Sequence, residues 1–468
     1  MSETVQDKVD FLVIANRLPV DRKVDDDGSV SWKSSPGGLV TALEPVMQRK
    51  GGAWIGWHGA PDEVVKPFHH DGYDIHPVPL SAQEVEEYYE GFSNATLWPL
   101  YHDCIVEPVF HREWWDAFQK VNKRFAEQAA EQAAEGATVW VQDYQLNLVP
   151  KYLREMRPDL RIGFFLHIPF PPIELYSRLP WREELVECLL GADLIGFQTP
   201  GAAANFQRLA RHRPGVTAAR GRAHTPDGRT VVIRDFPISI DSRGFHELAT
   251  SEKVKAEAAK LREDLGHPGT IIFGVDRLDD YTKGLRQRIR AVGELFKEGK
   301  LDPHEVVFLQ LATPSRERVE EYKILRDDIN LLVGQINSKV GSIANRALVY
   351  RNESVPREVL AAMYQMADLM LVTPVRDGMN LVAKEYIACR SNDDSALVLS
   401  EFAGAARELK QAYMVNPYDI DGMKATIMKA LTDSPKIKAR KMRSMRRQVF
   451  DKTIDVWADN FLTELEGQ

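Results

Sequence analysis

Leu369-Met370-Leu371-Val372-Thr373-Pro374-Val375-Arg376-Asp377-Gly378-Met379-Asn380-Leu381-Val382-Ala383-Lys384-Glu385 is the stretch whose reading decides the fold. Its first five residues form an apolar run of strand length, and Pro374 marks the exit. From Met379 onward, apolar residues recur at helical spacing through Val382, Ala383, Tyr386 and Ile387. The segment therefore reads as buried strand, short Gly-containing loop, then helix. The first turn of such a helix carries backbone N–H groups without intrahelical partners, a natural seat for phosphate. Glu385 lies two turns into the helix and Asp377 in the loop, each able to accept from a sugar hydroxyl. Diphosphate held between two polyols is what a nucleotide-sugar donor presents.

The same alternation runs almost from end to end. Strands are expected at Phe11–Ala15, Trp54–Trp57, Thr138–Val141, Ile162–Leu166, Leu194–Phe197 and Val231–Phe236, with helices at Glu113–Ala134, Leu148–Met156, Glu183–Leu190 and Ala202–Arg211. A second series follows at Thr270–Val275, Val306–Leu311, Leu348–Tyr350, Leu369–Thr373 and Ala396–Leu399. Strands alternating with helices imply parallel sheets covered on both faces. Two series imply two doubly wound α/β domains, each offering a crevice at the carboxyl ends of its strands. The junction is expected at Phe236–Asp241, giving an N-terminal domain over 1–240, a C-terminal domain over 241–450 and a final helix over 451–468. Arg211–Arg229 reads as an exposed basic loop, and Glu127–Glu135 as helix.

The bulk properties narrow the partners. A chain of 468 residues exceeds one ordinary core. With 44% hydrophobic and 27% charged residues it is globular rather than disordered. A net charge of −8 argues against nucleic acid, and no apolar run suits a membrane span. Three scattered cysteines offer no disulfide framework or zinc spacing, and the polar N-terminus lacks the pattern of a secretory signal. A soluble, cytoplasmic protein is expected. The Asp25–Asp27 and Asp393-Asp394 runs read as solvated turns, so no metal site and no cofactor are expected.

Several residues carry chemistry. Arg277 and Lys283 flank the exit of the second series' first strand, where two cations can neutralise a diphosphate as charge develops. Arg17 sits where the chain's first strand ends, and Gly37-Gly38 lets backbone approach a phosphate or sugar. Tyr89, Trp98 and Tyr101 supply rings able to face a sugar, though such rings are more often core. His167 is set at a strand end by a proline-rich turn, and Asp143 follows a strand in the same way.

Together these residues closely resemble the retaining glycosyltransferases of family 20, from about Phe11 to the last helix. The resemblance is carried by Asn16-Arg17, Gly37-Gly38-Leu39, Phe164–Pro171 and Arg376–Glu385, with support from Asn330–Asn337 and Leu399–Ala406. It implies a GT-B fold, two Rossmann-like domains facing across a cleft with the C-terminal helix returning to the first. It implies transfer of glucose from a nucleoside diphosphate glucose, UDP-glucose foremost, to the anomeric hydroxyl of glucose 6-phosphate. The product would be α,α-trehalose 6-phosphate, formed by same-face substitution.

Matching position by position, the resemblance assigns Arg17, Tyr89, Trp98, Asp143 and Arg316 to the acceptor. The donor would be held by Gly37, Gly38, His167, Arg277, Lys283, Asp377, Leu381, Val382, Ala383, Lys384 and Glu385. His167, Arg277, Lys283 and Asp377 would act at the reacting centre. Glu385 would take the ribose, and a homo-oligomer is expected.

The chain departs from the family pattern in an extra residue at Asp279-Asp280, in Ser239 where glycine is usual, and in Gln142 and Gln145 flanking Asp143. Two alternatives are a cyclitol-coupling pseudo-glycosyltransferase of the same fold and a non-catalytic sugar-phosphate sensor. No second catalytic module, such as a fused phosphatase, is expected.

Overall fold

The computed structural model describes residues 8–24, 30–35, 38–279, 282–314, 320–341 and 346–467. The chain divides into two compact units, Met1–Ile238 with Asp455–Gln468, and Ser239–Ile454. Among the described residues, no helix is long and apolar enough to cross a membrane.

The first unit contains β1 (Val9–Arg17), β2 (Val20–Val24), β3 (Val30–Ser34), β4 (Ala53–Trp57), β5 (Phe68–His70) and β6 (Tyr73–Pro77). It continues with β7 (Ala133–Gln142), β8 (Arg161–Phe165), β9 (Leu194–Phe197), β10 (Thr217–Ala219), β11 (Arg222–His224) and β12 (Thr230–Asp235). Ten of these make one sheet in the order β10-β11-β12-β9-β8-β7-β1-β4-β6-β5, while β2 and β3 form a separate hairpin. The seven strands from β12 to β6 in that order are parallel.

Period-two alternation explains how both sheet faces are covered. Leu12, Ile14, Val139, Val141, Ile162 and Phe164 share a core with Trp115, Phe118, Val121 and Phe125 of the helix Arg112–Gln132. Trp140 and Phe165 point to the other face. There the last helix, Ile454–Glu466, lays down Trp457 and Phe461, with Phe461 stacked on Trp140 at 4.7 Å between ring centroids. Gly163 and Gly196 clear the floor for it, since a Cβ on either would stand within 2.8 Å of the Phe461 ring. Phe461→Ala is expected to cost about 3–5 kcal/mol. Urea denaturation followed by the fluorescence of the adjacent Trp140 and Trp457 checks this; an unchanged midpoint would contradict the packing.

The second unit contains β13 (Thr270–Arg277), β14 (Val306–Thr313), β15 (Leu348–Asn352), β16 (Leu369–Val372), β17 (Ala396–Ser400) and β18 (Tyr413–Val415). All six are parallel, in the order β15-β14-β13-β16-β17-β18. Ile272, Phe308, Leu369, Leu371 and Val398 meet Ile289, Val292 and Leu295 of the helix Leu285–Lys297 in one core.

Two expectations need correction. Arg211–Arg229 is not a plain loop: β10 and β11 pair there as a tight hairpin around Arg220 (φ 51°) and Gly221 (φ 75°). Two consecutive positive φ values give the turn the twist that a two-residue hairpin requires. The helix expected through Ala134 stops at Gln132, and β7 begins at once. Val85–Leu97, which carries Tyr88, Tyr89 and Asn94, winds as a wide π-helix, a form associated with functional sites.

Candidate active site

Counting only the parallel strands in chain order, each sheet runs 3-2-1-4-5-6, and the first unit adds a seventh. In such sheets the chain reverses its winding direction between strands 1 and 4, and the helices there diverge to leave a ligand crevice at the carboxyl ends. The reversal lies between β13 and β16 in the second unit and between β1 and β7 in the first.

In the second unit, Arg277 is the last residue of β13 and is exposed. The chain then dips inward through buried Leu278 and Asp279, whose Oδ1 accepts from the Thr282 N–H at 3.2 Å. Lys283 follows, and its Nζ lies 2.6 Å from Asp377 Oδ2, in the loop after β16. The two loops are also joined through backbone, Val375 N–H donating to Thr282 C=O at 2.8 Å. Gly284 (φ 65°) permits this approach, because a Cβ there would stand 2.3 Å from Thr373 O.

Asn380 (φ 71°) caps the helix Leu381–Cys389 through Oδ1, and its Nδ2 donates to Asp377 Oδ2 at 3.1 Å. The cap leaves Leu381, Val382 and Ala383 as the helix's first turn, where the dipole favours an anion. Glu385, half-buried, accepts from Tyr364 Oη at 2.8 Å. Burial raises its pKa above the usual carboxylate range, opposed by the Tyr364 hydrogen bond and the Arg357 charge. Lys384, expected among the donor contacts, turns its side chain inward. Its Nζ is buried 2.6 Å from Glu408 Oε2, so its ammonium holds the fold together.

In the first unit, Arg17 ends β1, with its guanidinium 5.2 Å over the Trp57 ring and 3.4 Å from Asp21 Oδ1. Gly59 (φ 101°) makes room for it, since a Cβ would stand 2.4 Å from Nη2. Asp143 follows β7 directly with φ 71° and ψ 170°, a region that non-glycine residues rarely occupy. Its Oδ1 accepts the His167 backbone N–H at 3.1 Å, locking the exits of β7 and β8 together.

The His167 ring meets Gln142 Oε1 through Nε2 at 2.9 Å, and burial pushes its pKa down to about 3. The ring is therefore neutral near pH 7. Tyr89 is half-buried with its ring 6.3 Å from Trp57. Trp98 is only 5% exposed, packed on His102 and Tyr144, so little of its ring is open to a sugar. Gly38 opens the helix Gly38–Lys50. Gly37, Arg316, Asp280 and Asp25–Asp27 lie outside the described residues.

Sequence reasoning missed several supports. Tyr88 Oη donates to Asn16 Oδ1 at 2.8 Å and Tyr144 Oη to Asn94 Oδ1 at 2.7 Å, tying the π-helix to the exits of β1 and β7. Arg288, with its side chain wholly buried, lies 2.7 Å from Asp276 Oδ2. The signal for Arg288 was present: it falls in the apolar stripe Leu285, Ile289, Val292, where a cation must have a buried partner.

Two Rossmann-like units with charged side chains at both reversal points have the architecture of the GT-B glycosyltransferases. The chain belongs to glycosyltransferase family 20, whose model matches residues 9–467. A trehalose-6-phosphate synthase of Mycolicibacterium vanbaalenii is 55% identical, over 98% of this chain and 96% of the relative. Among solved structures, an E. coli protein bound with UDP-2-fluoro glucose superposes with TM-score 0.89 at 32% identity, covering 97% of this chain and 98% of that one. An α,α-trehalose-phosphate synthase (UDP-forming) from Burkholderia xenovorans in complex with glucose-6-phosphate gives TM-score 0.88 at 33% identity, covering 97% and 99%.

Proposed function

We infer that this chain transfers glucose with retention from a nucleoside diphosphate glucose, UDP-glucose foremost, to glucose 6-phosphate, giving α,α-trehalose 6-phosphate. The observation that carries the reading is the Arg277, Lys283 and Asp377 group at the second unit's reversal point, matched by Arg17 and Asp143 at the first's. The activity named for its relatives supports the same reading.

Arg277 and Lys283 take the diphosphate, and the first turn Leu381–Ala383 adds N–H groups to it. Asp377 and His167 hold hydroxyls of the transferred glucose, and Glu385 holds the ribose. Arg17 and Arg316 grip the acceptor's phosphate, since guanidinium forks match phosphate oxygens. Asp143, Tyr89 and Trp98 orient the acceptor sugar, and Gly37 with Gly38 lets backbone approach the donor.

In the reaction, the bond from the anomeric carbon to the diphosphate oxygen breaks. A new bond forms on the same face to the anomeric oxygen of glucose 6-phosphate, whose proton passes to the departing phosphate. A neutral His167 suits holding a hydroxyl and does not serve as an acid near neutral pH. The protein contributes orientation and stabilisation of charge on the leaving group. Neither role needs a metal or an organic cofactor. A homo-oligomer working in the cytoplasm completes the reading, and light scattering on the purified chain tests the assembly.

The deciding experiment offers UDP-, GDP- and ADP-glucose with glucose 6-phosphate and identifies the product by NMR. A non-reducing α,α-linked disaccharide phosphate is expected; its absence with every donor would refute the assignment. Glu385→Gln should raise the donor KM about tenfold while leaving the acceptor KM within twofold, the loss of one charge-assisted contact. An unchanged donor KM would remove Glu385 from the site.

A further inference from the structure

We propose that Arg288 is a positioning residue for the donor's diphosphate, acting through Lys283. The inference rests on the donor-site reading above and adds to it a residue that touches no substrate. Arg288 projects from the helix Leu285–Lys297 and has no solvent exposure. Its guanidinium joins β13, β14, the exit of β16 and the donor loop at one point. Nε donates to Thr373 Oγ1 just past β16 at 2.9 Å, and Nη1 to Gln310 Oε1 on β14 at 3.1 Å. Nη1 also lies 2.7 Å from Asp276 Oδ2 on β13, and Nη2 donates to the Lys283 carbonyl at 3.1 Å.

Three of these four partners belong to the segments that carry the crevice's charged groups. Asp276 precedes Arg277, Thr373 stands four residues before Asp377, and the carbonyl belongs to Lys283 itself. Gly274 leaves the space, because a Cβ there would stand 2.6 Å from Nη1. A planar fork with five donors in fixed directions can make these contacts at once, whereas a lysine ammonium cannot.

An ion pair that served burial alone would need only Asp276. The bonds to Lys283 O and Thr373 Oγ1 are what link Arg288 to the loops. With Asp279 capping Thr282 on its other side, Lys283 is held from both directions. Without Arg288 the Lys283 backbone gains freedom, and the contact with the terminal phosphate suffers before those with ribose or base.

The test measures UDP and UMP binding to the full chain by calorimetry, because only UDP carries the second phosphate. Arg288→Lys is expected to weaken UDP about tenfold and UMP less than twofold, the scale of one charge-assisted hydrogen bond. Thr373→Val, a milder variant that removes one Arg288 partner, is expected to weaken UDP about threefold. In a Lys283→Met background, Arg288→Lys is expected to add nothing further. Loss that adds fully to that of Lys283→Met, or an unchanged UDP-to-UMP preference in the folded variants, overturns the inference. Should Arg288→Lys fail to fold by circular dichroism, Thr373→Val alone decides between the threefold loss and none. If Lys283→Met itself leaves the preference unchanged, the donor assignment of Lys283 has failed, an outcome distinct from failure of the Arg288 role.

Discussion

Replacing Arg277 with methionine is expected to lower kcat by about 10²–10³-fold, the usual effect of removing one preorganised charge from a developing anion. As the glycosidic bond breaks, the diphosphate gains negative charge, so a cation at the exit of β13 binds the transition state more strongly than the donor. Lys283 cannot substitute, because its ammonium is shared with Asp377 at 2.6 Å, which offsets part of its charge. The loss should therefore fall mainly on kcat, with the donor KM rising far less and the acceptor KM within twofold. Steady-state kinetics with both substrates varied distinguish the cases. A fall confined to donor KM with kcat intact would mean that Arg277 binds both states equally and does not act at the leaving group. Fold loss is not the expected cause, because the side chain is exposed and ends its strand rather than packing in it.

Replacing Arg17 with alanine is the counterpart in the first unit, expected to raise the KM for glucose 6-phosphate about 10- to 100-fold, the worth of hydrogen bonds to a charged group. Donor KM should stay within twofold. Arg17→Lys keeps the charge but loses the fork, and an intermediate rise is expected. The side chain is 48% exposed and its contact with Asp21 is a long one of 3.4 Å, worth little to stability. Unfolding midpoints should therefore be unchanged. Equal increases in both KM values would contradict an acceptor role for Arg17, and a stability loss would point instead to its contact with Trp57.

Much of this was legible in the order of residues. Strand exits in an alternating α/β chain are local signals, so Arg17, Asp143, His167, Arg277 and Asp377 could be set at carboxyl ends from apolar runs alone. Short, polar pieces were not legible. β10 and β11 are three residues each, too short to show a period, and they are strands because β12 offers an edge to pair with. The π-helix was equally hidden, since Tyr88 and Asn94 meet their partners Asn16 and Tyr144, 72 and 50 positions away, only in the folded chain.

The chain's own order, then, determined two winding sheets and the charged residues at their ends, because backbone periodicity and strand length are properties of neighbouring residues. Tertiary structure alone decided which of those charges meet. Lys384 and Glu385 are adjacent on one helix, yet one is buried against Glu408 and the other held at Tyr364, each by a residue more than twenty positions away. Lys283 meets Asp377 across 94 positions, and Arg288 collects partners from Asp276 to Thr373. Contacts of that range depend on which segments the packed core brings together, and no local pattern encodes them.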